Sequence, residues 1–433
     1  METLTENIWQ KSKWLVKGVI IGVMALLLLI PAYFVENLIM ERETRQKEAV
    51  TEVSSKWAGR QLLRGPVLVI PYHETVTGKD GQQSFIRRTA FLAPDKLDIK
   101  SVVNPEQKTR GIYKVMLYSA NVNMSGRFSS LHLAELKLDP GSIIWKDITL
   151  SLGIMDHRGL RDDVKLDWNG SPQTLDVGTD INTLHRGDFV APLVIDSMTA
   201  GQAFNFKVTV SLNGSEQLLF VPTAKETTLE MKSAWPDPSF TGSQLPDTSW
   251  ITDKGFTARW KTVSHAGTVP LNPNSTLASM ESYAYGADLY IQLNGYQKTL
   301  RSVKYAILCI LLTFTAFFLI ETSTKQSVHP LHYALIGCAL LLFYTLLLSF
   351  SEYTGFNMAY MIAAIATTSL IAWFVRGLLK STRPAVLLSV ILVMLYSYVF
   401  TILQLQDYAL LLGSVGLFLT LGVVMYFTRK LKW

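Results

Sequence analysis

Cysteine is nearly missing from this 433-residue chain: there are two, Cys309 and Cys338, and none between residues 36 and 304. That excludes a disulfide framework, and no CxxC or Cys/His metal spacing exists. Charge is scarce as well, at 17%, against about 25% in typical soluble domains. The patterns HExxH, GxSxG and the P-loop are absent, so spacing gives no metalloprotease, serine hydrolase or nucleotide site. His73-Glu74 lacks the second histidine of a zinc helix, and the seven histidines are scattered. No catalytic residue, metal or cofactor is expected.

The missing charge is concentrated in six uncharged runs: Gly18–Val35, Tyr305–Ile320, Leu331–Ser351, Tyr353–Val375, Pro384–Gln406 and Tyr408–Thr428. A helix needs roughly 20 apolar residues to cross a bilayer. The runs therefore exclude an ordinary soluble protein and predict six transmembrane helices, one N-terminal and five C-terminal. Tyr305–Ile320 is the shortest, at 16 residues, and reaches spanning length if Lys304 snorkels. Gly18 and Gly22 form a GxxxG pattern in the first span, expected to pack against the other five. The first run is longer than a usual signal-peptide core and lacks a small-x-small site after it, so it reads as an uncleaved anchor.

The formal net charge of +6 does not indicate nucleic acid. Outside residues 36–304 lie ten bases: Lys11, Lys13, Lys17, Lys325, Arg376, Lys380, Arg383, Arg429, Lys430 and Lys432. With the N-terminus inside, all ten fall in the predicted inner pieces 1–17, 321–330, 376–383 and 429–433, and none in the short outer loops. This is the positive-inside pattern. It predicts cytoplasmic termini and an outer, periplasmic segment 36–304, which is itself nearly neutral.

Within that segment Leu38–Trp57 has helical spacing and many charges. It reads as a stalk leaving the membrane, or equally as a solvated helix docked on the domain. From Gly65 the period changes to two. Pro66–Pro71, Gly111–Tyr118 and Ile143–Leu150 read as strands. In Phe204–Leu212 the residues Phe204, Phe206, Val208, Val210 and Leu212 share one face. Asn213-Gly214 follows and predicts a hairpin turn. A β-dominated antiparallel sandwich, or a related two-sheet domain, is expected over about Ser54–Ser282. The fold class is thus an α+β membrane protein with a large β-rich, sandwich-like domain inserted between the first and second spans.

Several stretches, in order, resemble one family. They are Gly65-Pro66-x-x-x-Ile70-Pro71, Gly111-Ile112-Tyr113, Asp156-x-Arg158-Gly159, Trp235-Pro236-x-Pro238-Ser239-Phe240-x-Gly242 and Gly255-Phe256-x-Ala258-x-Trp260. In the membrane part they are Lys304-Tyr305-Ala306-Ile307, Glu321-Thr322, His329-Pro330, Ser351-Glu352-x-Thr354-Gly355-Phe356, Asp407-Tyr408-Ala409 and Arg429-Lys430-x-x-Trp433. The chain resembles the CreD family of cell envelope integrity inner membrane proteins over nearly its whole length. The resemblance implies a Gram-negative inner membrane protein under two-component regulation, linked to envelope integrity and stress tolerance. It transfers no enzymatic activity and no catalytic residues.

Candidate contact residues come from the charges. Glu352 and Asp407 are the acids of the two short outer loops, and Arg301 and Lys304 enter the bundle on the same side. A pair among these four would tie the outer domain to the bundle, and solvated loop charges are the plainer reading. Each acid precedes a tyrosine, a span and an arginine, which would fit tandem hairpins, although loop preferences explain most of that pattern. Asp156 and Arg158 flank a turn, where Asp156 is expected to bond the backbone and Gly159 to supply positive φ. Trp235, in a proline-rich loop, would either touch lipid or a partner or plug the sandwich end. The expected function is non-enzymatic maintenance of the envelope by binding an envelope protein or component, with membrane lipid as the other partner. The alternatives are a membrane-surface enzyme acting on lipid or cell-wall material and, with fewer ionisable groups than such proteins place in spans, a transporter or channel.

Overall fold

The computed structural model describes residues 16–77, 83–131, 133, 135–178, 184, 187–263, 277–289, 294–324, 328–405, 411–416, 418, 422 and 425. The chain divides into two units, Met1–Lys47 with Gln292–Trp433, and Glu48–Ile291.

In the first unit the uncharged runs become long helices: α1 (Val16–Trp57), α3 (Ala306–Thr324), α4 (Pro330–Thr354), α5 (Phe356–Leu379) and α6 (Thr382–Gln404), with a shorter amphipathic α2 (Asn294–Lys304) before α3. Five of these are long and apolar enough to cross a membrane. Of the expected sixth, Tyr408–Thr428, only residues 411–416, 418, 422 and 425 are described, and those are helical; the rest lies outside the described residues. The helices stop where the sequence dictates. His329 caps α4 by accepting from the Leu331 amide, Gly355 at φ 79° separates α4 from α5, and Lys380 at φ 45° turns the chain into α6.

After a turn residue at Leu28, α1 runs on as Leu29–Trp57 through the expected stalk. The expected packing of Gly18 and Gly22 against the other spans is not seen among the described residues, where a Cβ at either would meet nothing within 4 Å. The buried face is instead Ile21, Ala25, Leu28, Ala32, Val35 and Ile39, because these larger side chains recur every three to four residues and fill the contact. The glycine that permits close approach is Gly337 on α4, where any Cβ would collide with Leu28.

The second unit is a fifteen-stranded sheet in two halves. One half holds β1 (Gln61–Thr77), β2 (Gln83–Leu92), β5 (Thr149–Ile154), β8 (Phe189–Pro192), β10 (Gln217–Val221), β12 (Ser239–Gly242) and β15 (Tyr285–Asp288). The other holds β3 (Lys96–Arg110), β4 (Tyr113–Phe128), β6 (Val164–Trp168), β9 (Phe204–Ser215), β11 (Glu226–Ser233), β13 (Thr248–Thr252) and β14 (Gly255–Val263). β7 (Ser171–Val177) joins them, pairing with β6 along Ser171–Leu175 and with β8 at Asp176 and Val177. One hydrophobic cluster contains Leu68, Ile70 and Leu150 from the first half and Ile99, Val122 and Val210 from the second. β9 behaves as its alternation requires, with Phe204, Phe206, Val208, Val210 and Leu212 buried. Each such side chain contributes about 1.5–3 kcal/mol by leaving water. Pairing is mainly antiparallel, but β1 runs parallel to β10 and β3 parallel to β11, so a purely antiparallel sandwich is not what forms.

β1 is buried on both faces from Gln61 to Pro71, which is why its sequence is a continuous apolar run rather than an alternation. Leu63 and Leu68 enter the main cluster, while Leu62 meets Leu219, Val221 and Met280 in a second one. The register against β5 shifts between Arg64 and Val67, so Pro66 sits in a bulge, where its missing N–H breaks no ladder bond.

Two turn expectations are corrected. Asn213-Gly214 is no hairpin: both residues stay inside β9, paired to Ser119 and Tyr118 of β4. Any Cβ at Gly214 would collide with the Tyr118 ring, whose hydroxyl donates to the Gln217 carbonyl at 2.7 Å. The glycine is needed for that close approach, and the chain turns later, at Glu216 with φ 63°. Ile143–Leu150 is not one strand: Ile143 makes an isolated antiparallel bridge to Tyr72, Trp145–Asp147 forms a 3₁₀ turn with the Asp147 amide donating to the Ile144 carbonyl, and the strand proper starts at Thr149.

Candidate functional site

Among the described residues β13 is the outermost strand of its half and pairs only with β14, through Thr248↔Arg259 to Thr252↔Gly255. Asp253-Lys254 makes the tight turn between them. Gly255 follows at φ 133° and leaves no room for a Cβ against the Ser233 carbonyl. All five β13 residues are exposed, including two large apolar ones, Trp250 at 55% and Ile251 at 52%. The Arg259 guanidinium lies 5.8 Å from the centre of the Trp250 ring, and Glu230 accepts from its Nε at 2.8 Å. The indole is thus held by a cation whose own charge is met. Beside it a groove of about 440 Å³ is lined by Val102, Asn104, Lys232, Trp250, Lys254 and Phe256, among others. The lining includes no histidine and no carboxylate. It offers apolar surface from Val102, Trp250 and Phe256 together with two lysines, Lys232 and Lys254.

The sequence-predicted residues lie elsewhere. Trp235 is half-buried against the main cluster, and its indole donates to the Asp237 carbonyl at 2.7 Å; it fills the domain rather than projecting from it. Asp156 and Arg158 are brought together, with Nη2 to Oδ2 at 2.6 Å and Nε to Oδ1 at 2.9 Å. Asp156 also accepts from the Gly59 amide at 2.8 Å, and Arg158 donates to the Ser55 carbonyl at 2.8 Å. The pair therefore satisfies backbone groups left open at the end of α1. Gly159 has no positive φ; its smallness is used instead, since a Cβ would strike the Asn213 carbonyl.

Glu352 does not meet Arg301 or Lys304. It accepts from the Tyr296 hydroxyl at 3.0 Å and faces Arg42 Nε at 4.0 Å, while Arg301 and Lys304 are exposed. Asp407 lies outside the described residues. The buried face of α2, Tyr296, Thr299, Ser302 and Val303, turns those two bases away. The base of α2 that is used is Lys298, which donates to Gln404 at 3.0 Å and lies 5.7 Å from the Phe356 ring. α2 so joins the ends of α4, α5 and α6. Its three-to-four spacing was visible in the sequence, but the partners were not.

Two buried ionic groups were missed. Arg64 is fully buried and donates through Nη2 to Asp188 and to Ser151, each at 2.9 Å. Glu321, also fully buried, pairs with Lys17 and accepts from the Tyr333 hydroxyl at 2.7 Å and the Val328 amide at 2.8 Å. Lys17 Nζ donates in addition to the Val328 carbonyl at 2.6 Å. The available signal was an isolated charge next to an apolar run in each case.

Two outcomes test these contacts. The Arg158 hydrogen bonds hold the Asp156 carboxyl at about 2, below the ordinary value near 4. A lowered carboxylate pKa contributes stability above the ordinary value, and this is lost as pH falls toward 2. Asp156→Asn should therefore cost about 1–2 kcal/mol at neutral pH. In thermal melts the gap to wild type should close between about pH 5 and pH 2; a gap independent of pH would overturn the assignment. Glu321→Ala, leaving Lys17 without its counter-ion, should destabilise the detergent-solubilised protein by about 3–5 kcal/mol. Lys17→Met combined with Glu321→Leu should recover most of that loss.

The profile of the family described as "Inner membrane protein CreD" matches residues 13–433. The chain is 30% identical to the "Inner membrane protein CreD" of Escherichia coli (strain K12) over 415 residues, covering 94% of this chain and 91% of that protein.

Proposed function

This chain belongs to the CreD family of inner membrane proteins, and from that premise we propose that it supports envelope integrity under stress without catalysis, by binding another envelope protein through its β-rich unit. The observation carrying this reading is the open edge of β13. Its outer N–H and C=O groups are a template for an added strand. Trp250 and Ile251, on opposite faces, would receive alternate side chains of an extended segment, and the adjoining groove would take the larger ones. Natural edge strands are usually protected by charge, proline or covering loops. Here the edge instead carries an exposed large apolar side chain on each face, Trp250 on one and Ile251 on the other.

The proposal includes a six-span arrangement with cytoplasmic termini and a periplasmic β-rich unit, supported by the ten-base distribution and by five helices of spanning length.

Trp250→Ala with Ile251→Asp should accumulate at wild-type levels yet fail to restore detergent resistance to cells lacking the protein. A photo-crosslinking residue at Ser249 should give one discrete adduct in intact cells, abolished by Ile251→Pro. Full restoration by the double variant, with no adduct, would sink the edge-strand reading. Topology is read separately, in a background lacking Cys309 and Cys338. A cysteine at Thr354 should react with an impermeant thiol reagent added outside, and one at Ser381 only after the inner membrane is opened. The reverse order would invert the map.

A further inference from the structure

Where α5 ends and α6 begins, the helical unit holds a groove of about 740 Å³ lined by His332, Trp373, Arg376, Lys380, Ser381 and Thr382. Trp373 and Arg376 stand three apart near the end of α5, and Lys380, the left-handed residue just after it, lines the same groove. Trp373 is 74% exposed, and Arg376, Lys380 and the neighbouring Arg383 are exposed as well. Among the described residues no carboxylate lies within ion-pair distance of these three bases. Glu321, the described acid at this end of the bundle, is already engaged by Lys17, Tyr333 and Val328.

The start of α6 adds to the positive potential. Ser381 makes no side-chain cap bond, and the first turn holds no acid, so the leading amides of a 23-residue helix are left for another acceptor. Arg383 stands in that first turn, where a cation is disfavoured by the helix dipole. Three bases, an uncapped helix start and a concave surface therefore share one unmet requirement, an anion. The apolar part of the same groove, Phe374 and Leu378 with the Trp373 indole, requires that the anion carry hydrocarbon. Indoles prefer the headgroup level of a bilayer.

We infer that this groove binds the phosphate headgroup of an anionic phospholipid from the surrounding membrane, with its acyl chains lying along Trp373, Phe374 and Leu378. Arg376 on the last turn of α5 and Lys380 just after it face the phosphate, with the leading α6 amides beside them and Arg383 next to the groove. Basic pockets between membrane helices bind anionic headgroups by this combination of charge and apolar contact.

The test uses the full-length protein, delipidated in detergent and then titrated with phosphatidylglycerol or phosphatidylcholine of identical chains, with bound lipids counted by native mass spectrometry. Wild type should retain phosphatidylglycerol with a preference of about tenfold or more, from roughly fivefold per base near a charged surface. Arg376→Gln/Lys380→Gln/Arg383→Gln should bring the preference near unity while the thermal midpoint stays unchanged. If the triple variant fails to fold, the single variants Arg376→Gln and Lys380→Gln carry the test, each expected to lower the preference severalfold. Arg376→Lys/Lys380→Arg, which keeps the charge, should retain it. Excess inorganic phosphate should not displace the lipid. Equal retention of the two lipids by wild type, an undiminished preference in the triple variant, or complete displacement by inorganic phosphate would overturn the inference.

Discussion

Glu321 is a buried carboxylate on an otherwise apolar helix, so its charge has to be met from inside the bundle. Three groups from separate parts of the chain do this: Lys17 at the start of α1, the Val328 amide before α4, and the Tyr333 hydroxyl on α4. Satisfying one carboxylate therefore fixes the mutual position of α1, α3 and α4 at that end. Phe314 and Phe317 pack on the Tyr333 ring at 5.5 and 4.9 Å and hold its hydroxyl on the carboxylate. Apolar contact alone would leave these helices freer to slide and rotate, since lipid tails are as apolar as leucine. The opposite end is fixed differently. There α2 lies across the bundle, and Tyr296 and Lys298 engage Glu352 and Gln404.

The β-rich unit meets the same requirement with Arg64. It interrupts the apolar strand β1, and its charge is met by Asp188 beside Ser151. With no cysteine in the unit, order comes from burial and from such polar contacts rather than from crosslinks. β1 is central because it is covered on both faces and pairs with three strands, β2, β5 and β10. β13, at the far end of the other half, is the contrast. Among the described residues it is paired on one side and exposed throughout. Among the described residues the same unit thus has a strand paired to three others and a strand paired to one.

Much of the fold was legible because it rests on local pattern. Uncharged runs gave α3 to α6 to within a few residues, since a spanning helix must be long and apolar wherever it occurs. The alternation of Phe204–Leu212 gave β9 and its buried face. Local reasoning failed where one residue type serves two purposes. Asn213-Gly214 has the form of a hairpin turn, yet Gly214 is small so that Tyr118 can cross it. Gly159 is small for the Asn213 carbonyl rather than for its φ. Gly18 and Gly22 have the spacing of a packing motif, while the packed glycine is Gly337. In each case the deciding atom belongs to a residue distant in sequence.

The sequence by itself determined the class of this protein. Its apolar runs made it multi-pass, the scarcity of cysteine removed a disulfide framework from the β-rich unit, and its ordered motifs placed it in its family. These are properties of composition and period, which need no knowledge of what lies opposite. Tertiary structure alone decided the pairings: Glu352 with Tyr296 and Arg42, Glu321 with Lys17, Asp156 with the end of α1, and Trp250 on an open edge. A charge's partner and a strand's edge are set by which distant segments the fold brings within a few ångströms, and a linear pattern does not encode that distance.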